Sequence, residues 1–184
     1  MEYTKYFSNV ADWAKSNPIR RLTGLINRPG IISFAGGVPS PETFPYNEIA
    51  EIASRIVHEK GAEVLQYGLT RGNRQLIEYL VDQMQRRGIK TNAEEIMLTS
   101  GSQQGLDLLA RLLAEPGDIV LAELPSYIGG TYALNNVGGT LTGIPMAEDG
   151  LDLTAVRDKV LKMRDLGCQV KLIYTIPNFQ NPSG

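Results

Sequence analysis

The sequence predicts an α/β fold in three layers, with a mainly parallel sheet and helices on both of its faces. Between residues 96 and 175, short apolar runs alternate with amphipathic stretches at helical spacing. Turn formers such as Pro116-Gly117-Asp118 and Gly138-Gly139 separate them. Strands that alternate with helices of this length pair mainly in parallel through right-handed crossovers, which places helices on both faces of the sheet.

The predicted elements follow one another in a regular order. A helix runs from Asn47 to about Lys60, and the next helix begins at Asn73. The chain beyond these helices alternates between strand and helix. It comprises strands over 96–99, 119–122, 140–144 and 170–175, and helices over 102–114, from Pro125-Ser126 to about Asn136, and over 152–166.

Composition and charge are typical of a globular, cytoplasmic protein. Hydrophobic residues make up 42% of the 184 residues, and 18 basic and 20 acidic side chains are interspersed to give a net charge of −2. The only cysteine, Cys168, excludes an internal disulfide and any multi-cysteine metal site. No basic patch, leader or run of 18 apolar residues is visible, so we expect neither nucleic acid nor a membrane as a partner.

The strand, turn and helix predicted over residues 96–114 contain the first candidate binding site. An apolar run is broken by Ser100-Gly101-Ser102, and apolar residues then recur at helical spacing. The first N–H groups of a helix lack internal partners and carry the positive end of its dipole, so this turn can hold a phosphate. The alternative is an ordinary connection in which Ser102 is only the helix N-cap.

Three polar stretches follow strand ends and should converge at one edge of the sheet. They are residues 100–102, 125–127 and 177–181. Ligands of open parallel sheets bind beyond the carboxyl ends of the strands. Together the stretches offer a phosphate cradle, the aromatic ring of Tyr127 and the side-chain amide of Asn181. A flat, phosphorylated cofactor that carries a phenolate would need these parts.

The same motifs, read with SFAGGVPSPETFP at 33–45, LQYG at 65–68 and NPSG at 181–184, resemble a known enzyme family. The chain is similar to the fold-type I class I/II aminotransferases, which depend on pyridoxal phosphate, and most similar to the 2-aminoadipate and kynurenine aminotransferase group. The resemblance runs from about Pro18 to Gly184. It implies an N-terminal arm and substrate-closing segment over 1–46 and the first part of the large cofactor-binding domain over 47–184.

The resemblance assigns cofactor roles to residues of all three stretches. Gly101, Ser102 and Gln103 match the phosphate-binding turn of the family. Tyr127 matches the aromatic residue that stacks on the pyridine ring, and Asn181 matches the asparagine that hydrogen-bonds the phenolic oxygen. Residue type alone leaves Tyr127 open as a plain core aromatic and Asn181 as a turn former ahead of a proline.

Further roles implied by the resemblance fall in the first 70 residues. Tyr67 matches a tyrosine that reaches the phosphate of the neighbouring subunit, which implies a homodimer. Gly36 and Gly37 match the mobile segment that closes over substrate. Arg20 matches an arginine that can meet a substrate side-chain carboxylate, although a solvated helix face and competition from Arg21 are open alternatives.

The implied reaction is transfer of an amino group between an α-amino acid and a 2-oxo acid, but part of the machinery is missing. Family members need a Schiff-base lysine, an acid beside the pyridine nitrogen and commonly an arginine for the α-carboxylate, all normally beyond N-P-S-G. We therefore expect a part of a longer protein that is inactive alone. None of the lysines has the expected setting: Lys5, Lys15, Lys60, Lys90, Lys159, Lys162 and Lys171.

Two other functions share the cofactor elements. One is the cofactor-binding module of an aminotransferase-like transcription regulator, which needs an N-terminal DNA-binding domain that residues 1–17 are too short to supply. The other is a related fold-type I lyase or decarboxylase, which only product analysis would separate from an aminotransferase.

Overall fold

The computed structural model describes residues 3–8, 11, 30–32 and 39–184. The chain divides into two compact units between Gly68 and Leu69. The predicted boundary at residue 46, between an arm and a cofactor-binding part, stays a prediction.

One long helix, α1 (Tyr46–Val64), is the main element of the first unit. It follows Pro45, so it begins just ahead of the predicted start at Asn47. Lys60, the predicted end, has a non-helical φ of −134°, and the helix continues after this kink. Short 3-10 helices lie at Tyr3–Tyr6 and Pro41–Thr43.

The second unit contains a four-stranded sheet and four α-helices among the described residues. A short 3-10 helix, Ala93–Glu95, precedes the sheet. In chain order the elements are α2 (Arg74–Arg86), α3 (Ser102–Leu113), β1 (Ile119–Leu124), α4 (Ile128–Asn136), β2 (Thr140–Ala147), β3 (Gly150–Leu151), α5 (Leu153–Asp165) and β4 (Val170–Tyr174).

The strand order is β3-β2-β1-β4. β1 pairs in parallel with both β2 and β4, whereas the short β3 pairs antiparallel with β2. The connection from β1 to β2 and the connection from β2 to β4 run in opposite directions across the sheet. Because such crossovers are right-handed, α4 and α5 lie on opposite faces. The predicted α/β class, with a mainly parallel sheet, is confirmed.

The core of the second unit lies where α3 and α4 cover β1. Ala110 of α3, Val120 of β1, and Ala133 and Leu134 of α4 form one buried cluster. Val120 and Leu121 are fully buried although they point to opposite faces, since side chains alternate along a strand. β1 is therefore covered on both faces, as its continuous apolar run indicates.

Two helices of this unit have the N-caps that their sequences favour. The Asn73 side chain accepts a hydrogen bond from the Leu76 N–H at 3.0 Å at the start of α2. The Asp152 side chain accepts from the Ala155 N–H at 2.9 Å at the start of α5. Each side chain satisfies a backbone donor that the helix leaves unpaired.

The predicted strand over 96–99 is wrong. This stretch is extended but forms no strand, and the Leu98 N–H donates to the carbonyl oxygen of Arg71 at 2.9 Å, outside the sheet. An apolar run shows that a segment is suited to a strand, but a strand also needs a neighbour along its length. No second strand lies beside 96–99 among the described residues.

A glycine in α4 makes room for an aromatic ring of β4. A Cβ placed on Gly130 would lie 2.2 Å from Cζ of Tyr174, which packs against the core cluster. Gly105 in α3 has more space, because its Cβ would lie 3.7 Å from the nearest atom, Oγ1 of Thr99.

We predict opposite effects of alanine at these two helical glycines. Gly130→Ala should lower the free energy of unfolding by about 1–3 kcal/mol through overpacking. Gly105→Ala should raise it by about 0.5–1 kcal/mol, since alanine favours the helix. Urea unfolding followed by circular dichroism measures both, and equal effects of the two substitutions would contradict the packing described for Tyr174.

Candidate functional site

The N-terminus of α3 presents unpaired backbone donors. Gly101 precedes the helix with φ 78°, a left-handed conformation that favours glycine, and Ser102 is the first helical residue. Within the described part of the chain, no group accepts a hydrogen bond from the backbone N–H of Ser102 or Gln103. The alternative in which Ser102 is the N-cap is wrong, because Gly101 occupies the cap position and the Ser102 hydroxyl caps no backbone N–H.

The turn ahead of α3 is braced by its own side chains. The Thr99 hydroxyl donates to the carbonyl oxygen of Gly101 at 3.0 Å. The Gln104 side chain accepts a hydrogen bond from the Ser100 N–H. These bonds hold the positive φ of Gly101, so the free N–H groups point in a fixed direction and can bind an anion.

The Gln103 side chain links α3 to α4. Its amide nitrogen donates to the carbonyl oxygen of Gly129 at 3.0 Å. A Cβ on Gly129 would lie 2.4 Å from Cε1 of Tyr127 and 2.5 Å from Oε1 of Gln103. The absence of a side chain at Gly129 therefore lets the Tyr127 ring and the α3 N-terminus approach each other.

Tyr127 stands at the N-cap position of α4 and is half-buried. Its ring lies against the backbone of Gly129 and is electrostatically coupled to the Tyr174 hydroxyl. A fully buried core aromatic would have no face available for a ligand. The partial exposure of Tyr127 is compatible with stacking on a flat ring.

Asn181 is exposed on the loop after β4 and precedes a cis peptide bond to Pro182. Among the described residues, none forms a hydrogen bond with its side-chain amide. The surrounding backbone is held in place, since the Gly184 N–H donates to the carbonyl oxygen of Gln180 at 2.6 Å. A fixed loop thus carries a free amide donor.

Glu123, near the end of β1, is a site residue that the sequence does not reveal. It is only 2% exposed. Its carboxylate accepts hydrogen bonds from the Thr175 hydroxyl, from the Ile176 N–H at 2.9 Å and from the Gln180 amide at 2.8 Å. The only sequence feature that points to Glu123 is its place inside the otherwise apolar run IVLAEL, because a buried charge requires hydrogen-bond partners.

Two hydrogen bonds bring the three predicted stretches together. Gln103 reaches Gly129, just after Tyr127, and Gln180 donates to the carbonyl oxygen of Pro125 at 2.9 Å. β1 and β4 are parallel neighbours, so the loops that follow them emerge side by side. The structure therefore places the N-terminus of α3, Tyr127 and the loop with Asn181 near one edge of the sheet, so the predicted convergence of the three stretches is observed.

The environment shifts the pKa of two groups at this edge. Burial opposes ionisation of Glu123, but hydrogen bonds from Thr175, Gln180 and the Ile176 N–H outweigh it and lower the pKa of the carboxyl group. Burial is the main cause that raises the pKa of Tyr174, and the charge of Glu123 and the proximity of Tyr127 raise this pKa further. Glu123 is therefore ionised and Tyr174 neutral at physiological pH.

A cavity of about 600 Å³ lies beside this edge but is not lined by Ser102, Tyr127 or Asn181. It is bordered by the β2–β3 turn, by Glu123 and by the loop after β4, including Gln180 and Ser183. Glu123 and Gln180 therefore border this cavity, and Gln180 also lies in the loop that carries Asn181.

Four other predicted residues precede the second unit in the sequence. Tyr67 belongs to the first unit and is 99% exposed. Arg20, Gly36 and Gly37 lie outside the described residues.

The described residues contain neither a metal-binding cluster nor a membrane-spanning helix. Within them, no cluster of three or more histidine, cysteine, aspartate or glutamate side chains could hold a metal ion. In the same part of the chain, no helix has both the length and the apolar character needed to cross a bilayer.

The second unit has an α/β fold with unpaired N–H donors at the N-terminus of α3, and with an aromatic ring and a free amide on the loops after β1 and β4. No protein-family model matches the chain. It is 40% identical over its whole length to an aromatic-amino-acid aminotransferase of Thermococcus litoralis and 39% identical to a 2-aminoadipate transaminase of Thermus thermophilus. It spans 44% of the length of each relative.

A solved structure shows the same relationship. The kynurenine aminotransferase of Pyrococcus horikoshii, in complex with PMP, superimposes with a TM-score of 0.90 at 37% identity. The match covers 100% of this chain and 45% of that one. Over this shared N-terminal part, the chain is homologous to aminotransferases that depend on pyridoxal phosphate.

The hydrogen-bond donors at the N-terminus of α3 fit the phosphate of pyridoxal phosphate. The phosphate is an anion, and the N–H groups of Ser102 and Gln103 are unpaired at a helix N-terminus. The Ser126 hydroxyl is buried between these elements, and among the described residues it has no hydrogen-bond partner. A ligand that bears oxygens would satisfy it.

We predict that the ionised Glu123 makes stability depend on pH. The folded-state pKa of Glu123 is lowered. Its contribution to the free energy of unfolding is therefore fully present above the ordinary pKa of 4.5, and it is lost as the pH falls through the folded-state pKa. At pH 7, Glu123→Gln should lower the free energy of unfolding by about 1–3 kcal/mol. The difference from wild type should shrink towards pH 3.

Guanidinium unfolding between pH 7 and pH 3 measures this difference. Glu148→Gln is the control, because Glu148 is an exposed glutamate on the β2–β3 turn. Tyr174, which faces Glu123, stays neutral over this range because its pKa is raised. A pH-independent loss in Glu123→Gln would contradict an ionised Glu123.

Proposed function

We propose that the protein that contains this chain is an aminotransferase, which moves an amino group between an α-amino acid and a 2-oxo acid. The observation that carries the proposal is the meeting of three loops at one sheet edge through the Gln103–Gly129 and Gln180–Pro125 hydrogen bonds. Pyridoxal phosphate, when bound, supplies the electron sink of the reaction. The residues of this chain would bind and orient it.

The phosphate would bind at the start of α3. Gly101 provides the left-handed turn, and the backbone N–H groups of Ser102 and Gln103 donate together with the Ser102 hydroxyl. The positive end of the helix dipole favours the phosphate charge. Since these donors are already oriented, little ordering is needed when the anion binds.

The ring would lie between two loops. The half-buried Tyr127 offers a face for stacking, and the exposed Asn181 amide can donate to the phenolic oxygen. A donor at this oxygen favours its anionic form. The two residues would thus fix both the plane of the ring and its rotation within that plane.

Several finer proposals rest on the family match. We infer a cytoplasmic homodimer in which Tyr67 contacts the phosphate bound by the other subunit, and its exposure leaves the hydroxyl free to do so. Gly36 and Gly37 would close over the substrate. Residues 1–46 would then form the arm, and 47–184 the first part of the cofactor-binding domain.

We also infer that these 184 residues alone do not transaminate. Proton transfer in this chemistry needs a lysine beside the bound cofactor. Six lysines lie in the described part of the chain: Lys5 in the first 3-10 helix, Lys60 in α1, Lys90 after α2, Lys159 and Lys162 on α5, and Lys171 in β4. None of them follows the end of a strand, where the three loops meet.

The first test of this proposal is cofactor affinity in the protein encoded by the natural gene. Tyr127→Ala should weaken binding of pyridoxal phosphate by about tenfold, through loss of stacking and burial. Tyr127→Phe should keep most of the affinity. Tyr79→Ala, on the exposed face of α2, is the matched control and should bind like wild type.

Titration of the cofactor-free protein with pyridoxal phosphate, followed by absorbance, gives these affinities. Equal affinities of wild type and Tyr127→Ala would refute the assignment of the ring site.

The substrate class depends on Arg20. The two relatives named above act on aromatic amino acids or on 2-aminoadipate, so both substrate types are open. If Arg20 pairs with a side-chain carboxylate, Arg20→Ala should lower kcat/KM for 2-aminoadipate by about 10–100-fold and leave leucine almost unchanged. Arg21→Ala is the control, and a larger loss there would move the role to Arg21.

A further inference from the structure

The Gln180 side chain joins the loop after β4 to the turn after β1. Its amide nitrogen donates to Oε2 of Glu123 at 2.8 Å and to the carbonyl oxygen of Pro125 at 2.9 Å. Its oxygen accepts from the N–H and the hydroxyl of Ser183, at 2.9 Å and 2.6 Å. All four hydrogen-bonding positions of this amide are used, and Gln180 is 6% exposed.

Both predicted ring contacts are attached to this network. Asn181 lies between Gln180 and Ser183, which are bonded to each other across it. Tyr127 lies two residues after Pro125, which accepts from Gln180. The separation between the aromatic ring and the amide donor is therefore set by the Gln180 side chain.

We propose that Glu123 and Gln180 are positioning residues that hold Tyr127 and Asn181 at the spacing required by the pyridoxal ring. The inference rests on the proposed function, because it assumes that the ring binds between these two side chains. Neither Glu123 nor Gln180 contacts the cofactor in this arrangement. They act through the loops that they connect.

The network requires a carboxylate at position 123. A carboxylate only accepts hydrogen bonds, so it fixes the amide nitrogen of Gln180 towards itself and the amide oxygen towards Ser183. An amide at 123 would place two nitrogen donors against each other. A rotation of the Gln180 amide by 180° would avoid this contact. It would, however, bring the amide nitrogen against the Ser183 N–H, so that two donors face each other, and it would break the hydrogen bond to Pro125.

Three variants of the protein encoded by the natural gene test this role. Glu123→Gln disrupts the network with little change in volume. Thr175→Val removes one donor to the carboxylate and is the milder variant should Glu123→Gln fold poorly. The exchanged pair Glu123→Gln/Gln180→Glu restores an amide facing a carboxylate but loses the hydrogen bond to the carbonyl oxygen of Pro125. Glu148→Gln is again the matched control.

Two measurements separate positioning from general instability. The first is the pH midpoint at which the absorbance band of bound pyridoxal phosphate titrates, which reports donation to the phenolic oxygen. The second is hydrogen–deuterium exchange of residues 180–184 in the cofactor-free protein. If a variant is merely unstable, less folded protein binds the cofactor. The absorbance band is then weaker, but the pH midpoint of its titration is unchanged.

We expect Glu123→Gln to raise the midpoint by about one pH unit, because a misplaced Asn181 no longer favours the anionic oxygen. Its affinity for pyridoxal phosphate should fall by about tenfold, and exchange over 180–184 should be faster. Thr175→Val should shift the midpoint in the same direction by less. The exchanged pair should recover only part of the shift, because a carboxylate at 180 cannot donate to the carbonyl oxygen of Pro125.

A wild-type midpoint in both Glu123→Gln and Thr175→Val would overturn the positioning role while leaving the proposed function intact. A wild-type protein that binds no pyridoxal phosphate would overturn the proposed function, and the positioning role with it.

Discussion

The buried carboxylate of Glu123 is the constraint on which the candidate site depends. It lies at the carboxyl end of the central strand β1, and among the described residues no basic side chain forms an ion pair with it. An ionised group in such a place needs hydrogen-bond donors. Those donors come from Thr175, Ile176 and Gln180, so the loop after β4 must lie against β1. The location of Asn181 follows from this requirement.

Local sequence patterns predict most of the α/β framework because its strands and helices are encoded by periodicity. The apolar runs beginning at Ile119, Thr140 and Val170 become β1, β2 and β4. The failure over 96–99 has a physical reason, since pairing is non-local and an apolar run does not specify its neighbour. The N-cap of α3 was misassigned because side-chain type favours Ser102, whereas the positive φ places Gly101 at the cap.

The candidate site was predicted as a set of loops but not as a hydrogen-bond network. Parallel pairing of β1 and β4 is enough to place Tyr127 and Asn181 at one edge. Glu123 and Gln180 are separated by 57 positions, and no local pattern connects them. Their pairing follows only from burial and hydrogen-bond geometry. The roles of the loop residues come from the family resemblance, and the homology to aminotransferases supports them without testing each residue.

A crystal structure of the protein with pyridoxal phosphate bound tests the central claim most directly. The account predicts the phosphate within hydrogen-bonding distance of the Ser102 and Gln103 N–H groups, the ring against Tyr127, and the phenolic oxygen at the Asn181 amide. Cofactor located instead in the cavity bordered by the β2–β3 turn, or bound without contact to the N-terminus of α3, would contradict it.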